Sequence, residues 1–400
     1  MMWQIVSIVA LVAGIAALWL AVGTIRRLGA RDPGVLSAFA RRLFGVHDLP
    51  HDSVVAFDRA QAGHDRVAFI VNPTKPGLAR LREAAYRACS ARHLPEPMWM
   101  YTTMDDPGTE AARKAIIAGA EVLIAAGGDG TVRAVAAAAS DSGLPMGIVP
   151  LGTGNLLARN LDLPLKDTGF ALEIALDGDD TLLDIGWLMI TRESGETYEF
   201  PFLVMAGIGL DAEMVAGVKA SLKSRIGWLA YLLAALRHVG ATRMRATVQI
   251  DDQDPIEKKM RTVLIANCGR LPGGLVLVPD ARIDDGALDI AILDARGGIA
   301  GWTELASQVW LQGTRISTPT LPDAWRVGRI DHARGTSVEI RAEAPQRIQV
   351  DGDLLGRASD LRAWVEPGAV KVRSIARPTK KRQKKTPVNA PVRIERRRSG

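Results

Sequence analysis

The feature that most constrains this chain is the stretch at residues 122–135, which reads VLIAAGGDGTVRAV. Five apolar residues precede a glycine turn, GGDGT at 127–131, and an alanine-rich run follows from 132 to 139. A short apolar run that ends in glycines is typical of a buried strand, and the alanine-rich run favours a helix with Thr131 as its N-cap. This strand–turn–helix arrangement favours a bound anion, because free N–H groups and the helix dipole attract negative charge.

A second turn of the same kind follows along the chain. Residues 146–151 read MGIVPL, the turn reads GTGN at 152–155, and residues 156–161 have a helical pattern. Two such turns in one region predict a shared polyphosphate site, and Asp129 inside the first turn is a candidate ligand for Mg²⁺. The first turn matches neither the P-loop nor the dinucleotide-binding fingerprint. An ordinary strand-to-helix turn is the alternative for the first turn taken alone.

Read together, GGDGT at 127–131 and PLGTGN-LLARNL at 150–161 resemble the diacylglycerol kinase catalytic domain. The closer likeness is to the bacterial soluble lipid kinases of that family. Sphingosine kinases share these motifs, and NAD kinases and phosphofructokinases share the GGDG turn more distantly. The likeness extends over residues 67–373 and includes several motifs in order. It implies ATP and Mg²⁺ as cofactors and a lipid hydroxyl as the phosphoryl acceptor.

The resemblance also implies nucleotide-binding positions outside the glycine turns. A strand at 66–71 ends in Asn72 and Pro73, where the nucleotide site of the family begins, and Thr103 follows the next predicted strand. A plain proline–glycine turn is the alternative for the first of these segments. Arg133 stands where the family commonly has asparagine, and an arginine there is expected to pair with phosphate. The predicted ATP-binding residues are Asn72, Pro73, Thr103, Gly127, Gly128, Asp129, Gly130, Thr131, Arg133, Gly152, Thr153, Gly154 and Asn155.

The order of elements predicts two domains of different type. Alternating strands and helices in residues 66–179 are typical of an α/β domain with a parallel sheet covered on both faces, whose ligand lies at the carboxyl ends of the strands. Strand-like segments dominate residues 180–375 and predict a mainly antiparallel β domain, either a sandwich or a barrel. The resemblance implies that this domain holds the lipid acceptor. Two helical stretches, 219–239 and 298–312, interrupt the predicted strands, which are 182–190, 200–206, 244–250, 261–267, 288–293, 337–341, 347–350 and 361–365.

Three acidic residues of the second domain match the family. Asp285 lies in the segment PDARIDDG at 279–286, which resembles a loop that holds a structural Mg²⁺ in relatives, and oxygen ligands suit that ion. Asp351 and Asp353 flank Gly352 in a segment similar to the Asp-Gly-Glu of the family. Both are therefore predicted catalytic residues, with Asp351 as the base and Asp353 in the place of the usual glutamate. A hairpin tip is the alternative reading of both segments.

The N-terminal segment predicts a membrane anchor. Residues 1–25 contain no charged side chain, residues 3–22 approach the roughly 20 apolar residues that span a bilayer, and two arginines follow at 26 and 27. The positive-inside rule predicts a single-pass protein of the cytoplasmic membrane, with residues 1–27 as the anchor, 28–65 as a linker and the catalytic part in the cytoplasm. A cleavable signal peptide is the alternative.

The positive charge of the chain is concentrated at its C-terminal end. Residues 371–400 hold twelve Lys and Arg and one Glu, a net +11, so the first 370 residues sum to −5 in a chain of +6. This composition predicts a disordered basic tail at 376–400. An anionic membrane surface is its expected partner, because basic clusters attract anionic lipid. Nucleic acid is the weaker alternative, since no base-reading motif accompanies the tail.

These features predict an ATP- and Mg²⁺-dependent lipid kinase that phosphorylates a diacylglycerol-like hydroxyl at the cytoplasmic face of the membrane. One alternative is a kinase of the same superfamily with another acceptor, either a sphingoid base or NAD. The other is a catalytically weak sensor that binds lipid or nucleotide. The two cysteines and six histidines form no disulfide framework and no metal-binding motif, which argues against a His/Cys metalloenzyme.

Overall fold

Apolar strands with parallel pairing form the first part of the sheet. They are β1 (Val67–Val71), β2 (Met98–Tyr101), β3 (Val122–Gly127) and β4 (Pro145–Pro150), in the spatial order β4-β3-β1-β2. β1 and β3 are buried along their whole length, as expected for central strands of a sheet covered on both faces. The computed structural model describes residues 66–192, 194–209, 243–270, 278, 281–295 and 328–375.

Helices cover both faces of these strands, and the side chains of β1 show how. Alternate residues of a strand point to opposite faces. Ala68 and Ile70 pack in one apolar cluster with residues of α2 and α3, whereas Phe69 packs in another with residues of α1 and α5. The sheet covered on both faces that the alternating elements predict is therefore confirmed. The helices are α1 (Leu78–Ala91), α2 (Thr109–Ile117), α3 (Asp129–Ser142), α4 (Leu156–Asn160) and α5 (Thr168–Asp177).

The second part of the described chain is antiparallel β-structure. Its strands pair with one another in antiparallel register and enclose a separate apolar cluster, as predicted for this region. The strands are β5 (Asp179–Thr191), β6 (Thr197–Phe202), β7 (Met205–Gly209), β8 (Met244–Ile250), β9 (Ile256–Met260), β10 (Thr262–Ala266), β11 (Leu288–Ala295), β12 (Gly328–Gly335), β13 (Ser337–Val350) and β14 (Asp353–Ser374).

β14 joins the two parts into one sheet. Near its start β14 pairs with β13, and near its end it pairs in parallel with β4, where Lys371 lies opposite Pro145. The turn between β13 and β14 is a two-residue hairpin in which Val350 pairs with Asp353. Asp351 has φ 47° and Gly352 has φ 88°, so both central residues are left-handed, as a type I′ turn requires. The hairpin predicted as the alternative at this segment is thus the observed backbone.

The predictions at 200–206, at 337–350 and at the start of α3 differ from the structure. The strand predicted at 200–206 is interrupted after Phe202, so β6 and β7 are separate. The segments predicted at 337–341 and 347–350 are one strand, β13, with an irregular register between them. α3 begins at Asp129 with Gly128 as its N-cap, so the prediction of Thr131 as the N-cap is wrong.

Several predictions concern residues that the structure does not describe. These are the anchor at 1–27, the linker at 28–65, the helices at 219–239 and 298–312, and the tail at 376–400. Within the described ranges, no helix is both long enough and apolar enough to cross a membrane. The α/β and β parts of the predicted fold class are confirmed, and its transmembrane helix lies outside the described residues.

Candidate active site at the carboxyl ends of the parallel strands

The two glycine turns lie against each other at the carboxyl ends of β3 and β4. The Leu151 amide donates to the Gly127 carbonyl at 2.9 Å. A Cβ atom on Gly152 would lie 2.6 Å from the Cα atom of Gly128, closer than side-chain atoms approach a backbone. Glycine at 152 is therefore required for the contact between the turns. The predicted convergence of the two turns is present in the fold.

The Asp129 carboxylate fixes the second turn to the first. Its Oδ2 atom accepts from the Asn155 amide at 2.9 Å, and its Oδ1 atom accepts from the Leu156 amide in a short hydrogen bond. A Cβ atom on Gly154 would lie 2.5 Å from Asp129 Oδ2, so a larger residue there would displace this carboxylate. Asp129 thus caps the first turn of α4, as carboxylates do at helix N-termini.

Other predicted residues of these turns shape the backbone. The Asn155 side chain accepts from the Gly152 amide at 3.0 Å and donates to the Gly152 carbonyl at 2.9 Å, which closes the turn. Thr131 is buried, and its Cβ atom would lie 2.6 Å from a Cβ atom at Gly127. Thr153 is exposed at the turn. Of the side chains of Asn155, Thr131 and Thr153, that of Thr153 is open to solvent, whereas the other two are buried.

The segment after β1 adds a cation to the site. Asn72 accepts from the Thr74 amide at 3.0 Å and from the Thr74 hydroxyl at 2.7 Å, and its carbonyl accepts from the Lys75 amide at 3.2 Å. This turn carries the Lys75 side chain over the first glycine turn, with its Cε atom 4.0 Å from a Cβ atom built on Gly128. The Lys75 ammonium has no ion pair within the described residues. Asn72 and the exposed Pro73 thus build the turn that places Lys75.

Lys75 is not among the residues predicted from the sequence, although it is the basic residue of the segment NPTKPG at 72–77. A lysine ammonium suits phosphate as a point charge with three donors. We call the two adjoining glycine turns, at 127–131 and 152–155, the glycine cradle. A polyphosphate is favoured by this cradle together with the N-terminus of α3 and the Lys75 cation. The residues present therefore fit the triphosphate of a nucleotide.

Thr103 is placed at the end of β2 but makes local contacts. Its hydroxyl accepts from the Asp106 amide at 3.0 Å, and its own amide donates to the Asp106 carbonyl at 2.9 Å. Asp106 in turn accepts from the Gly108 amide at 3.0 Å, just before α2. The described hydrogen bonds of Thr103 thus order the loop before α2, and its assignment to ATP stays a prediction.

The β13–β14 hairpin brings a carboxylate to the glycine cradle from the second part of the fold. The Arg133 guanidinium on α3 donates to Asp353 Oδ2 at 2.8 Å. A Cβ atom on Gly130 would lie 3.5 Å from the same oxygen, so Asp353 stands over the first turn of α3. The Asp353 side chain is 58% exposed, which leaves its carboxylate accessible to a reacting molecule.

Asp351 faces the opposite way, and its predicted role as the base is corrected. Its side chain is 3% exposed. Its carboxylate accepts from the backbone amides of Leu203 at 3.0 Å and of Val204 and Met205 at 2.9 Å. Burial raises the pKa of Asp351, and the nearby Arg133 and the three amides oppose that rise. A carboxylate that is enclosed in this way ties the hairpin to the start of β7 and does not face an acceptor.

The predicted pairing of Arg133 with phosphate is also corrected. One guanidinium nitrogen donates to the Val350 carbonyl at 3.1 Å and the other donates to Asp353, and the side chain is 14% exposed. The guanidinium is thus directed at the hairpin. Arginine reaches two acceptors at once because its donors form a planar fork.

The two residues predicted to hold Mg²⁺ have different partners in the structure. Each carboxylate oxygen of Asp129 accepts a backbone amide. Asp285 Oδ2 pairs with the Arg334 guanidinium, whereas the buried Asp285 Oδ1 has no hydrogen-bond partner among the described residues, and burial raises the pKa of this carboxyl group. Within the described ranges, no three His, Cys, Asp or Glu side chains form a possible metal group. The assignment of Mg²⁺ to Asp129 and Asp285 stays a prediction.

A glycine cradle for phosphate at the end of a parallel sheet, faced by a carboxylate from an antiparallel β region, defines the class of protein as a kinase. The diacylglycerol kinase catalytic domain family matches residues 66–188, and the family described as the YegS C-terminal NAD kinase beta sandwich-like domain matches residues 204–374. The chain belongs to the diacylglycerol kinase catalytic-domain family, as a relative of the YegS-like lipid kinases.

Individual relatives agree with this assignment. A probable YegS-like lipid kinase of Pseudomonas fluorescens is 32% identical over 65% of this chain and 79% of its own length. The diacylglycerol kinase of Bacillus subtilis is 27% identical over 64% of this chain and 78% of its own length. The chain spans 51% of an uncharacterized protein of Synechocystis, with 30% identity. A crystal structure of a diacylglycerol kinase from Bacillus anthracis shares the fold, with a TM-score of 0.55, 18% identity, and coverage of 78% of this chain and 98% of that one.

The predicted localisation as a single-pass membrane protein is corrected. The predicted span at 1–27 lies outside the described residues, and the described part of the chain contains no helix able to span a membrane. A YegS-like relative from Pseudomonas aeruginosa aligns over 94% of its own length with 77% of this chain. The family assignment therefore does not support single-pass anchoring.

Proposed function

We propose that the protein transfers the γ-phosphoryl group of ATP to a lipid hydroxyl, with diacylglycerol as the first acceptor to test. The observation that carries the proposal is the meeting of the phosphate cradle with an accessible carboxylate, Asp353, across the two parts of the fold. The family name and the diacylglycerol kinase of Bacillus subtilis support the choice of acceptor.

The cradle would hold the phosphates by backbone and charge. Gly128 and Gly130 leave space at the start of α3, where free amides and the helix dipole favour an anion. Lys75 would neutralise phosphate oxygens above this turn. ATP supplies an activated phosphoryl group, and phosphoryl transfer depends mainly on positioning and charge neutralisation. Mg²⁺ stays a prediction, with Asp129 and Asp285 as its expected ligands.

Asp353 would act as the base for the acceptor. The hydroxyl oxygen of the lipid forms the new bond to the γ-phosphorus, and the bond from that phosphorus to the β–γ bridging oxygen breaks. The hydroxyl proton moves to the Asp353 carboxylate, and ADP leaves with the bridging oxygen. A positioned base contributes about 10²–10⁴-fold to such a rate. The exposure of Asp353, in contrast to the burial of Asp351, supports this assignment.

The basic tail is proposed to bind anionic lipid surfaces, independently of the catalytic site. This rests on the net charge of +9 in residues 376–400, because basic clusters near a surface gain about 1 kcal/mol per Lys or Arg. Deletion of the residues after 378 should weaken binding to phosphatidylserine vesicles and reduce its dependence on salt. Unchanged vesicle binding after the deletion would remove this role.

The reaction can be tested with γ-labelled ATP and a total lipid extract, followed by identification of the labelled lipid. Label in a phosphorylated lipid, with phosphatidic acid as the expected species, supports the proposal. Matched incubations with sphingosine and with NAD test the two alternative acceptors. Stronger labelling of NAD than of any lipid contradicts a lipid kinase, and ATP binding without transfer to any acceptor indicates the sensor.

A further inference from the structure

Arg133 connects the two parts of the active site. It lies in the second turn of α3 and contacts the β13–β14 hairpin, whose residues are 217 to 220 positions away along the chain. Its guanidinium donates to the Val350 carbonyl at 3.1 Å and to Asp353 at 2.8 Å, and it lies 3.9 Å from the Asp351 carboxylate. The side chain thus contacts one acceptor on each side of the hairpin turn.

We propose that Arg133 is a positioning residue, which seats the hairpin on α3 and holds the Asp353 carboxylate over the glycine cradle. The inference rests on the proposed function, because it takes Asp353 as the base. A backbone contact at Val350 fixes the hairpin, and a side-chain contact at Asp353 fixes the carboxylate that the hairpin carries. Because the Arg133 side chain is only 14% exposed, little water competes for these hydrogen bonds.

The two departures of this chain from its family are explained by one contact. Aspartate is one methylene shorter than the usual glutamate, so the Asp353 carboxylate reaches less far from the backbone. Arginine is longer than the usual asparagine and carries a charge, so Arg133 extends to meet the shorter acid at 2.8 Å. The two residues therefore form a matched pair in this chain.

Four variants test the pair in the full chain. They are Arg133→Asn, Asp353→Glu, the double variant that restores the usual family pair, and Arg113→Asn as a control. Arg113 is 57% exposed and lies 3.7 Å from Asp141, so the control removes an arginine contact near the other end of α3. Thermal unfolding of each variant verifies folding before kcat and the KM for ATP are measured.

Arg133→Asn should lower kcat by about tenfold or more, with the KM for ATP within about twofold of wild type, because a base that is out of place affects the transition state and not nucleotide binding. The double variant should recover at least about a third of wild-type kcat, far above the product of the single effects. If the fold-change in kcat of the double variant equals the product of the two single fold-changes, the matched pair is overturned. A raised KM for ATP with unchanged kcat makes Arg133 a phosphate ligand and also overturns the inference.

Amide hydrogen exchange gives a readout that does not need turnover. Exchange in residues 350–355 should be about tenfold faster in Arg133→Asn and unchanged in Arg113→Asn, because loss of the clamp favours local opening. Unchanged exchange at the hairpin overturns the positioning role. If the expected exchange pattern is found but wild type phosphorylates no lipid, the proposed function fails and the positioning role stands.

Arg133→Lys covers the case in which Arg133→Asn does not fold. Lysine keeps the charge but lacks the planar fork that reaches two acceptors. This variant should show kcat reduced by about threefold or more and faster exchange at the hairpin. Wild-type values of both quantities in a folded Arg133→Lys protein would contradict the inference.

Discussion

The glycine turns and the β13–β14 hairpin meet at one site, but their residues are determined in different ways. In the glycine turns, the residues that contact each other across the two turns are at most 27 positions apart, and small size is the property that matters: Gly152 has no room for a side chain. In the hairpin, Asp351 and Asp353 are two residues apart and have opposite environments, one 3% and the other 58% exposed. Burial and long-range partners therefore decide function in the hairpin, whereas local spacing decides it in the turns.

The largest expected effect separates the two hairpin aspartates. Asp353→Asn should lower kcat by about 10²–10⁴-fold, because it removes the proposed base with little change of shape. Asp351→Asn should instead lower stability by about 1–3 kcal/mol, because an amide cannot accept from all three backbone donors. Measurement of kcat and of the free energy of unfolding for both variants tests this division.

Asp360→Asn is the matched control for this prediction. Asp360 lies on β14, seven residues beyond Asp353, and its side chain is 52% exposed. Its loss should leave kcat within about twofold of wild type. If Asp351→Asn lowers kcat by about 10²–10⁴-fold and Asp353→Asn mainly lowers the free energy of unfolding, Asp351 is the base. The correction made from the burial of Asp351 is then wrong.

The next effect distinguishes two glycines of the cradle. Gly152→Ala should destabilise the protein by about 1–3 kcal/mol, because the new methyl group would overlap the backbone of Gly128. Gly128→Ala has its nearest neighbour at 3.6 Å and should fold normally. Its methyl group projects into the cradle beside Lys75, so the KM for ATP should rise about tenfold. Equal melting temperatures for the two variants would contradict the described contact between the turns.

Much of the cradle could be predicted from the sequence because the pattern of each turn is local. GGDGT and GTGN each combine a strand end, a turn and a helix start within a few residues. The position of the helix start was less predictable: Thr131 is a good N-cap by type, but Gly128 adopts an extended conformation (φ −97°, ψ −170°) and α3 begins at Asp129. Residue type alone does not reveal which of several adjacent residues takes the cap conformation.

The hairpin was less predictable because its determinants are distant. The strand predicted at 200–206 breaks near Leu203 and Val204, whose amides donate to Asp351, almost 150 residues away along the chain. The contact of Arg133 with Asp353 spans 220 residues. No local pattern indicates such contacts, and the exposed and buried members of the Asp-Gly-Asp segment look alike in the sequence.

A smaller effect is expected for the cation above the cradle. Lys75→Met keeps most of the side-chain volume and removes the charge, so the KM for ATP should rise about tenfold, the value of one charged hydrogen bond. Lys166→Met, at an exposed lysine elsewhere on the α/β part, is the control and should leave this KM unchanged. An equal KM for wild type and Lys75→Met would show that Lys75 does not contact phosphate.

The smallest effect concerns Thr103. Thr103→Val removes the acceptor for the Asp106 amide and should cost about 1 kcal/mol of stability, with the KM for ATP unchanged. The free energy of unfolding and the KM for ATP are both measured. A KM that rises severalfold while stability is unchanged would support the assignment of Thr103 to the nucleotide, which the family resemblance implies.

The central claim is that one site joins a phosphate cradle and an acceptor base to phosphorylate a lipid. The most direct test is a competition in mixed micelles, in which the full chain receives γ-labelled ATP with equimolar diacylglycerol, sphingosine and NAD, and the label in each product is counted. Phosphatidic acid should carry most of the label, and Asp353→Asn should remove it. Label that accumulates mainly in the phosphorylated form of NAD, or that is unchanged in Asp353→Asn, would contradict this function.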